Sequence, residues 1–419
     1  MPAVQSSRRW YVVAVLFVIA CLNYADRTAI SAVFPLLRDE LGVSDVGLAA
    51  IGSFFLWTYG LASPFAGRLA DRVSRSNMVI VSLVAWSLIT IVTGLVANLN
   101  QLLLTRVLLG LAECAYLPAA VALIADHHSA ETRATAMGVH LAGLNFGLVA
   151  GGALAGYLGE NYGWRAGFLL LGSAGLVLAV IARFVLCDVS SPAQRRAAEN
   201  GLSIGQTIKQ VLRVRSYLVV LIESTVIAVG IWMFFNWLPL YFRETFQMSL
   251  TGAGFSGTFM LQMAATIGVM LGGYLSDRIA GKHLKRRMLF QALCYFAATP
   301  FLLAFLGSPT YSFISTCIFS FAFLRSVGAS NEHAIVCDLL PAHLRSTAVG
   351  LQNSANCMAG GIGILIAGYL KATAGLAGVF AGVSVLILIA AGVVMWGYLF
   401  FIGKDLAAAR AMPAVQEVL

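Results

Sequence analysis

The sequence predicts an all-α membrane protein with twelve transmembrane helices in two pseudo-symmetric six-helix bundles. Two observations predict this fold class. Hydrophobic residues make up 59% of the 419 residues and charged residues only 11%, which is too little charge to cover a soluble protein of this length. The two halves of the chain also repeat each other, since the stretch 126–158 returns as 338–370. A duplicated, strongly apolar chain is typical of two related helical bundles.

Identical residues at equal spacing establish the repeat. Asp126 and Arg133 return as Asp338 and Arg345, and both stretches end in the same four residues, Ala-Gly-Tyr-Leu. A second, weaker repeat relates 67–72 to 273–278. Such duplication is typical of transporters, whose substrate site lies between the repeats near the middle of the bilayer.

Apolar segments of about 20 residues, long enough to cross roughly 30 Å of hydrocarbon, recur along the chain. The first is too long for a cleavable signal peptide and lacks a small-residue cleavage site. The segments divide the chain into an N-terminal bundle (1–187), a cytoplasmic linker (188–215) and a C-terminal bundle with a short tail (216–419). The twelve predicted spans are about 10–36, 47–67, 77–97, 101–124, 134–158, 164–187, 217–242, 252–275, 288–307, 310–335, 346–370 and 377–402.

Lysine and arginine are distributed unevenly between alternate loops. With the N-terminus in the cytoplasm, the outer loops contain only Arg38, Arg165, Arg243 and Lys371. This bias predicts that both termini are cytoplasmic, in an inner (plasma) membrane. The net charge of +9 is therefore a topology signal, and no nucleic-acid partner is expected. The basic segment 285–287 is expected to meet anionic lipid headgroups.

Short charged turns occur at equivalent places in the two halves. One follows the second span of each half (68–76 and 276–287), and another precedes the fifth (126–133 and 338–345). A carboxylate near a helix N-terminus gains from the helix dipole, and arginines that bridge to the opposite bundle would form a latch. A solvated turn that obeys the positive-inside rule is the alternative. The residues assigned to this conformational gate are Gly67, Asp71, Arg72, Arg75, Arg133, Asp277, Arg278 and Arg345.

The fifth span carries Gly143, Gly147 and Gly151 at four-residue spacing. Small residues on one face allow two helix backbones to approach closely. The eleventh span has a related set that includes Gly360 and Gly363. We therefore predict closely packed helix pairs at both places.

Charged side chains inside the predicted spans require a specific role, because each costs at least about 2.5–3.5 kcal/mol in hydrocarbon. The first span contains Tyr24, Asp26 and Arg27, and the fourth contains Arg106 and Glu113. The latter two are seven residues apart, nearly on one helix face. Two acids and two arginines form either a structural salt-bridge network or a proton-coupled anion site. An anion that binds an arginine would free an acid to take up a proton, so both would bind cooperatively.

The C-terminal half has its own polar residues within spans. Arg325 and Glu332 repeat the seven-residue spacing in the tenth span. Arg325 is either a clamp for a substrate carboxylate or the partner of Glu332. A position near the cytoplasmic end would make Glu332 an ordinary solvated acid, whereas water at the inner end of the seventh span would open a coupling role for Glu223.

The segment 67–75, Gly-Arg-Leu-Ala-Asp-Arg-Val-Ser-Arg, resembles the loop-2–3 signature of the major facilitator superfamily, with Ser74 where the second glycine usually stands. Together with the duplication, the resemblance covers about 10–402. It implies the major facilitator fold, with two bundles around a central cavity and alternating access. Leu148 occupies the position where drug and proton antiporters of the superfamily carry a proline, which disfavours antiport.

Within the superfamily, the charged residues of the first and fourth spans, Tyr59, and the stretch 236–241 (Asn-Trp-Leu-Pro-Leu-Tyr) resemble the anion:cation symporters. The resemblance implies that Asp26 and Glu113 carry protons. It implies that Arg106 is either the partner of Glu113 or a substrate contact. The candidate substrate-binding residues are Arg27, Tyr24, Tyr59, Arg106, Asn236, Arg325, Gln352, Asn353 and Asn356.

The sequence thus predicts a secondary active transporter for proton-coupled uptake of a small organic anion, such as a sugar acid or another carboxylate. A Spinster-type lysolipid exporter and an organic-anion exchanger are alternatives, although the amides of the eleventh span favour a small hydrophilic substrate. Without a paired-histidine motif, a P-loop or an appended domain, an enzyme is not expected. We expect no cofactor and no metal, with protons as the coupling ion. The expected partners are the anionic substrate and membrane lipids, for a functional monomer.

Overall fold

The computed structural model describes residues 2–128, 130–188, 204–280, 283–307 and 310–411. All regular structure within these ranges is helical, which confirms the predicted all-α class. A 3₁₀ helix, Thr299–Leu306, follows the twelfth α-helix. The α-helices in chain order are α1 Pro2–Ala32, α2 Phe34–Leu41, α3 Asp45–Arg72, α4 Arg75–Thr93, α5 Leu99–Glu113, α6 Tyr116–His127, α7 Ala130–Tyr162, α8 Trp164–Val185, α9 Ile204–Val211, α10 Arg215–Phe246, α11 Leu250–Ala280, α12 Arg286–Ala298, α13 Tyr311–Ala329, α14 Asn331–Leu339, α15 Ala342–Phe400 and α16 Ile402–Ala411.

Eleven helical segments of the described chain are long and apolar enough to cross a membrane. The last of them, Thr347–Phe400, has 54 residues, more than twice the roughly 20 that a bilayer requires. It is interrupted at Gly375, whose φ of 64° and ψ of 167° are not helical. A positive φ is accessible to glycine because it has no Cβ. This break divides the segment into two helices, so the described chain contains the twelve membrane-crossing helices that the sequence predicts.

Side-chain caps determine where several of these helices begin. Ser44, Ser74 and Asn98 each accept a hydrogen bond from the backbone N–H three residues later, at the starts of α3, α4 and α5. Thr310 does the same at the start of α13. Such caps satisfy a backbone donor that has no partner within the helix.

The fourth and tenth spans are each made of two helices. In the fourth, α5 ends at Glu113 and α6 begins at Tyr116. In the tenth, α13 ends at Ala329 and α14 begins at Asn331. Both interruptions place an acidic side chain at a helix end, Glu113 in the last turn of α5 and Glu332 in the first turn of α14.

Contacts between residues divide the chain into two compact units. The predicted linker, 188–215, lies largely outside the described residues. Unit 1 consists of Met1–Asn200, Met233–Phe259 and Ile364–Tyr369, and unit 2 of Gly201–Trp232, Met260–Gly363 and Leu370–Leu419.

In unit 1, glycines of α7 bring this helix against the backbone of α1. A Cβ on Gly147 would lie 2.2 Å from the Cys21 carbonyl oxygen, and one on Gly151 would lie 2.4 Å from Ala25 Cα. Only residues without a side chain permit this approach. The predicted close packing is confirmed, and it fixes the part of α1 that carries the charged residues of the first span.

In unit 2, α15 approaches α10 in the same manner. A Cβ on Gly363 would lie 2.2 Å from the Val229 carbonyl oxygen, and one on Gly360 would lie 2.1 Å from a ring atom of Trp232. The eleventh-span glycines are therefore packing residues, as the sequence predicts.

A polar contact joins α2 to the start of α8 in unit 1. Glu40 accepts a hydrogen bond from the indole N–H of Trp164 at 2.7 Å and is ion-paired with Arg165. The hydrogen bond from Arg165 holds the pKa of the Glu40 carboxyl below its usual value. Glu40 and Arg165 both lie at the ends of helices, where a bilayer does not exclude water.

Candidate substrate and proton site

Unit 1 brings the charged residues of the first and fourth spans together. We call Asp26, Arg27, Arg106 and Glu113 the buried charge cluster. The exposed fractions of Asp26, Arg106 and Glu113 are 1%, 2% and 0%, and the Arg27 side chain is 8% exposed. Four ionisable groups removed from solvent are stable only when they are paired or hydrogen-bonded.

The central contact of the cluster is an ion pair between α1 and α5. Arg27 Nε donates to Glu113 Oε2 at 2.9 Å. The guanidinium is also held by aromatic rings, with its central carbon 4.4 Å from the Tyr24 ring centroid and 4.6 Å from that of Tyr59. These cation–π contacts hold the Arg27 guanidinium in position. Another carboxylate can therefore replace Glu113 without movement of the cation.

Arg106 is not the hydrogen-bonded partner of Glu113, which corrects one of the two roles expected for it. Its Nη2 donates to Thr93 Oγ1 at 2.9 Å. The seven residues between Arg106 and Glu113 correspond to about 10.5 Å along a helix, too far for a direct contact along one face. The guanidinium also lies 5.8 Å from the Phe168 ring centroid. Arg106 is a second buried cation, and no carboxylate of the described residues forms an ion pair with it.

Asp26 accepts a hydrogen bond from Thr90 Oγ1 at 3.1 Å. Its other oxygen, Oδ1, is buried without a partner among the described residues, as are Glu113 Oε1 and Arg106 Nε. Unsatisfied buried polar atoms are uncommon in proteins. Their concentration in one cluster marks a place where a proton or a polar ligand would complete the hydrogen bonding.

The remaining predicted substrate residues occupy several different surroundings. Asn236 belongs to unit 1 and lies against Gly52, whose Cβ would be 2.3 Å from its Oδ1. In unit 2, Asn356 Oδ1 accepts from Ser224 Oγ at 3.2 Å. Asn353 is exposed. These three amides stay predictions as substrate ligands.

Gln352 and Arg325, both in unit 2, have partners within their own unit. Gln352 Nε2 donates to Glu332 Oε2 at 3.1 Å. Arg325 Nη2 donates to Ser326 Oγ at 3.0 Å, and in the described chain no ion pair joins it to Glu332. Arg325 nevertheless interacts electrostatically with Glu332, so both roles expected for it stay predictions.

Three residues of the unit 1 site were not identified from the sequence. Thr90 and Thr93, on α4, bind Asp26 and Arg106, and Asn23 accepts from Arg27 Nη2 at 3.4 Å. Threonines are common in membrane helices, so only their spacing of three residues on one face of the third span was a usable signal. Asn23, one turn before Arg27, was a clearer one.

The predicted gate residues repeat their contacts in the two halves. Arg133 Nε donates to the His128 carbonyl oxygen at 3.2 Å, and the equivalent Arg345 Nε donates to the Leu340 carbonyl oxygen at 2.9 Å. Each carbonyl belongs to the residue that follows a helix, α6 or α14. Both arginines therefore cap a helix C-terminus, where carbonyl groups lack partners.

A second repeated contact is an ion pair. Arg75 Nη1 lies 2.5 Å from Asp126 Oδ2, and in the second half Arg287 Nε lies 3.5 Å from Asp338 Oδ2. Arg287 also donates to Asp277 at 2.7 Å. The Arg287 side chain is 16% exposed, whereas Lys285 and Arg286 are exposed, and contact of this segment with lipid headgroups stays a prediction.

The last gate residues are only partly described. Arg278 stacks on Tyr274, with its guanidinium carbon 4.6 Å from the ring centroid. The surroundings of Gly67 and the side chains of Asp71 and Arg72 lie outside what the structure describes, so the predicted latch stays a prediction. No group of three metal-ligating side chains occurs in the part of the chain that the structure describes.

Twelve apolar helices, a duplicated set of contacts and a buried charge cluster define a multi-pass membrane transporter. A family model, Major Facilitator Superfamily, matches residues 16–363. The chain belongs to the major facilitator superfamily, and it is a transporter rather than an enzyme.

Curated relatives cover most of the chain. The probable galactarate/D-glucarate transporter GudP of Bacillus subtilis is 26% identical and covers 87% of this chain and 86% of its own length. Its Escherichia coli namesake is 25% identical, with 95% and 94% covered. The voltage-gated purine nucleotide uniporter SLC17A9 of Mus musculus is 26% identical, with 86% and 83% covered. The resemblance to anion:cation symporters that the sequence predicts is confirmed.

A solved structure supports the fold. The bacterial homologue of the human lysosomal transporter Spinster, in an inward-facing and occupied conformation, superimposes with a TM-score of 0.79 over 95% of this chain and 98% of its own. Its sequence identity is 20%. At this identity the likeness concerns the fold alone, and it confirms the predicted major facilitator fold.

Proposed function

We propose that this protein takes up a small organic anion together with protons, and that the anion is a sugar acid or a similar carboxylate. Relatives named as transporters of galactarate, D-glucarate and L-galactonate support this substrate class. The observation that carries the proposal is the buried ion pair between Arg27 and Glu113. It joins a cation suited to bind a substrate carboxylate with an acid suited to bind a proton.

The proposed coupling begins with competition for Arg27. A guanidinium binds a carboxylate through two parallel hydrogen bonds, so a substrate carboxylate can replace Glu113. Glu113 would then be a fully buried carboxylate without a cation, at a cost of several kcal/mol. Uptake of a proton removes this cost. Anion and proton therefore bind cooperatively, since each favours the state that the other requires.

Asp26 is the second proposed proton carrier. Its Oδ1 lacks a partner among the described residues, and the carboxyl interacts electrostatically with Arg27, Arg106 and Glu113. A change of charge at Glu113 therefore changes the energy of a proton on Asp26. Arg106, which forms no ion pair within the described part of the chain, is proposed to attract the anionic substrate and to balance the charge of the acids.

The remaining features of the proposal follow the sequence analysis. The protein works by alternating access as a monomer in the inner membrane, with both termini cytoplasmic. The charged turns 68–76 and 276–287 act as the gate. Thermodynamics permits accumulation when the protons that accompany the anion give a net inward movement of positive charge, because each such charge at 100 mV contributes about 2.3 kcal/mol.

The test is uptake into proteoliposomes with an imposed pH gradient or membrane potential. The probes are galactarate, D-glucarate, L-galactonate and a labelled lysolipid. We expect saturable, pH-dependent accumulation of at least one sugar acid. Glu113→Gln should abolish accumulation against a gradient while retaining exchange of labelled for unlabelled substrate, because the amide binds no proton. Glu244→Gln, which changes an exposed acid of the same unit, should transport normally.

Other outcomes would change the proposal in defined ways. Undiminished accumulation by Glu113→Gln removes this acid from coupling. Transport that follows the membrane potential without any dependence on pH indicates a uniporter, as the mouse relative is named. Movement of lysolipid without movement of any sugar acid replaces the proposal with a lipid exporter.

A further inference from the structure

Unit 2 contains a second set of polar side chains, buried except for the half-buried Glu332, which the proposed unit 1 mechanism does not use. We call Glu223, Gln291, Tyr295, Glu332 and Gln352 the unit 2 polar network. They come from four helices, α10, α12, α14 and α15. The expectation that Glu332 is an ordinary solvated acid is wrong, because both of its oxygens are hydrogen-bonded within the protein.

The hydrogen bonds of this network form one continuous chain between the two acids. Gln291 Nε2 donates to Glu223 Oε1 at 2.7 Å and to Tyr295 Oη at 3.1 Å. Tyr295 Oη then donates to Glu332 Oε1 at 3.1 Å, and Gln352 donates to the other oxygen of Glu332. A change at one acid is therefore transmitted to the other through two side chains.

Donors are shared unequally between the two acids. Glu332 receives one donor on each oxygen and stands in the first turn of α14, where the helix dipole favours a negative charge. Glu223 is 0% exposed, receives a donor on Oε1 only, and has a buried Oε2 without a partner among the described residues. The described chain provides Glu223 with no ion pair.

The other charged and titratable groups around the network also favour charge on Glu332. Arg325 on α13 interacts electrostatically with both acids, and His333 on α14 interacts with Glu332. Tyr295 on α12 contributes a neutral hydroxyl that donates to Glu332. A second negative charge on Glu223 would be opposed by Glu332 and would be unpaired in an apolar interior, at a cost of several kcal/mol.

From this geometry we infer that Glu223 is a second proton-binding site of the transporter. Glu223 holds a proton on its partnerless oxygen while Glu332 remains ionised, and the Gln291–Tyr295 hydrogen bonds couple the two. This proton is released and rebound during the transport cycle. Its role in transport rests on the proposed proton-coupled function, whereas its presence on Glu223 does not.

Infrared difference spectroscopy of the purified full-length protein reads protonated carboxyl groups directly, through a C=O band that shifts in D₂O. At pH 7 we expect Glu223→Gln to lose one such band. Glutamine retains the shape of the side chain and its hydrogen bond with Gln291, so the variant should fold. Glu332→Gln should retain the band, because the inference assigns the charge to Glu332. An unchanged band in Glu223→Gln would overturn the inference.

Transport of L-galactonate in proteoliposomes tests whether the proton on Glu223 takes part in transport. Glu223→Gln should move one charge fewer per substrate, which at an imposed 100 mV lowers the accumulation ratio about 50-fold. Glu244→Gln makes the same substitution on the same helix, α10, and should leave the ratio unchanged. Loss of the infrared band with an unchanged accumulation ratio would overturn the transport role of Glu223.

The two proposals fail in different ways. If Glu113→Gln accumulates substrate normally, the proposed coupling role of Glu113 is wrong, while the infrared result for Glu223 is unaffected. If the band persists in Glu223→Gln while Glu113→Gln loses accumulation, the second site is wrong and the proposed function stands.

Discussion

Replacing Arg27 with alanine should leave the buried carboxylate of Glu113 without its cation. Loss of one partner of a buried ion pair costs about 3–5 kcal/mol. A second route gives a similar value, because Glu113 has 0% exposure and can avoid an unpaired charge by taking up a proton. Protonating a glutamate of ordinary pKa about 4.3 at pH 7 costs about 3.7 kcal/mol. We therefore expect Arg27→Ala to lower the free energy of unfolding by 3–5 kcal/mol at pH 7.

The pH dependence of this loss identifies its cause. In Arg27→Ala the folded protein holds a proton on Glu113 that the unfolded chain lacks at pH 7. The folded state then binds more protons, so stability falls as pH rises and recovers as pH is lowered. The loss should shrink by about 1.4 kcal/mol per pH unit on approach to about pH 4.3. What remains there reflects the lost contacts with Tyr24 and Tyr59.

The assay is reversible chemical unfolding in detergent micelles between pH 5 and about pH 7.5. Arg38→Ala is the matched control, because Arg38 pairs with Glu244 and Asp45 through side chains that are 30–37% exposed. Exposed pairs contribute about 0–1 kcal/mol. The double variant Arg27→Ala/Glu113→Gln should recover most of the loss and show no pH dependence. A loss below about 1 kcal/mol for Arg27→Ala, or one that does not change with pH, would refute the reasoning.

Two further predictions concern packing and pH. Gly147→Ala should destabilise unit 1 by about 1–3 kcal/mol, because the new Cβ would lie 2.2 Å from the Cys21 carbonyl oxygen. The control Gly138→Ala, whose new Cβ would have nothing within 4 Å, should be neutral or stabilising. Equal shifts of the melting temperature for the two variants would contradict this prediction. Because Arg165 lowers the pKa of Glu40, this acid stabilises the folded protein above its usual pKa, and the contribution disappears as pH falls through the lowered value. Glu40→Gln should therefore reduce the melting temperature at pH 7 and not at the acid end of the range, and a pH-independent difference would argue against the contact.

The duplication of the sequence is matched by repeated contacts at the ends of the helices. Arg133 and Arg345 donate to carbonyl groups at equivalent positions, each just after the end of a helix. The ion pair Arg75–Asp126 likewise has its counterpart in Arg287–Asp338. The buried acids do not follow this symmetry. Glu113 is ion-paired with Arg27 in unit 1, whereas Glu223 has no ion pair within described unit 2. The two halves therefore share the same contacts at their helix ends, whereas the pairing of the buried acids differs between them.

The sequence by itself determined the fold class, the number of membrane crossings and the identity of the buried charged residues. These are local properties, since an apolar run of about 20 residues spans a bilayer wherever it occurs. A charge within such a run is costly enough to mark a functional candidate. Glu113 and Arg27 were identified in this manner, and the glycines that bring α7 against α1 were identified by their four-residue spacing.

Only the tertiary structure decided which groups are partners. Spacing along α5 suggested Arg106 for Glu113, but the acid pairs with Arg27, 86 residues away in the chain, and Arg106 binds Thr93. In unit 2, Gln291 and Tyr295 connect two acids from different helices, which no spacing along one helix indicates. Hydrogen bonds act over about 3 Å, so the partners depend on the rotation and register of helices that are distant in sequence. Packing determines both, and the glycine contacts that fix them are visible only in the folded chain.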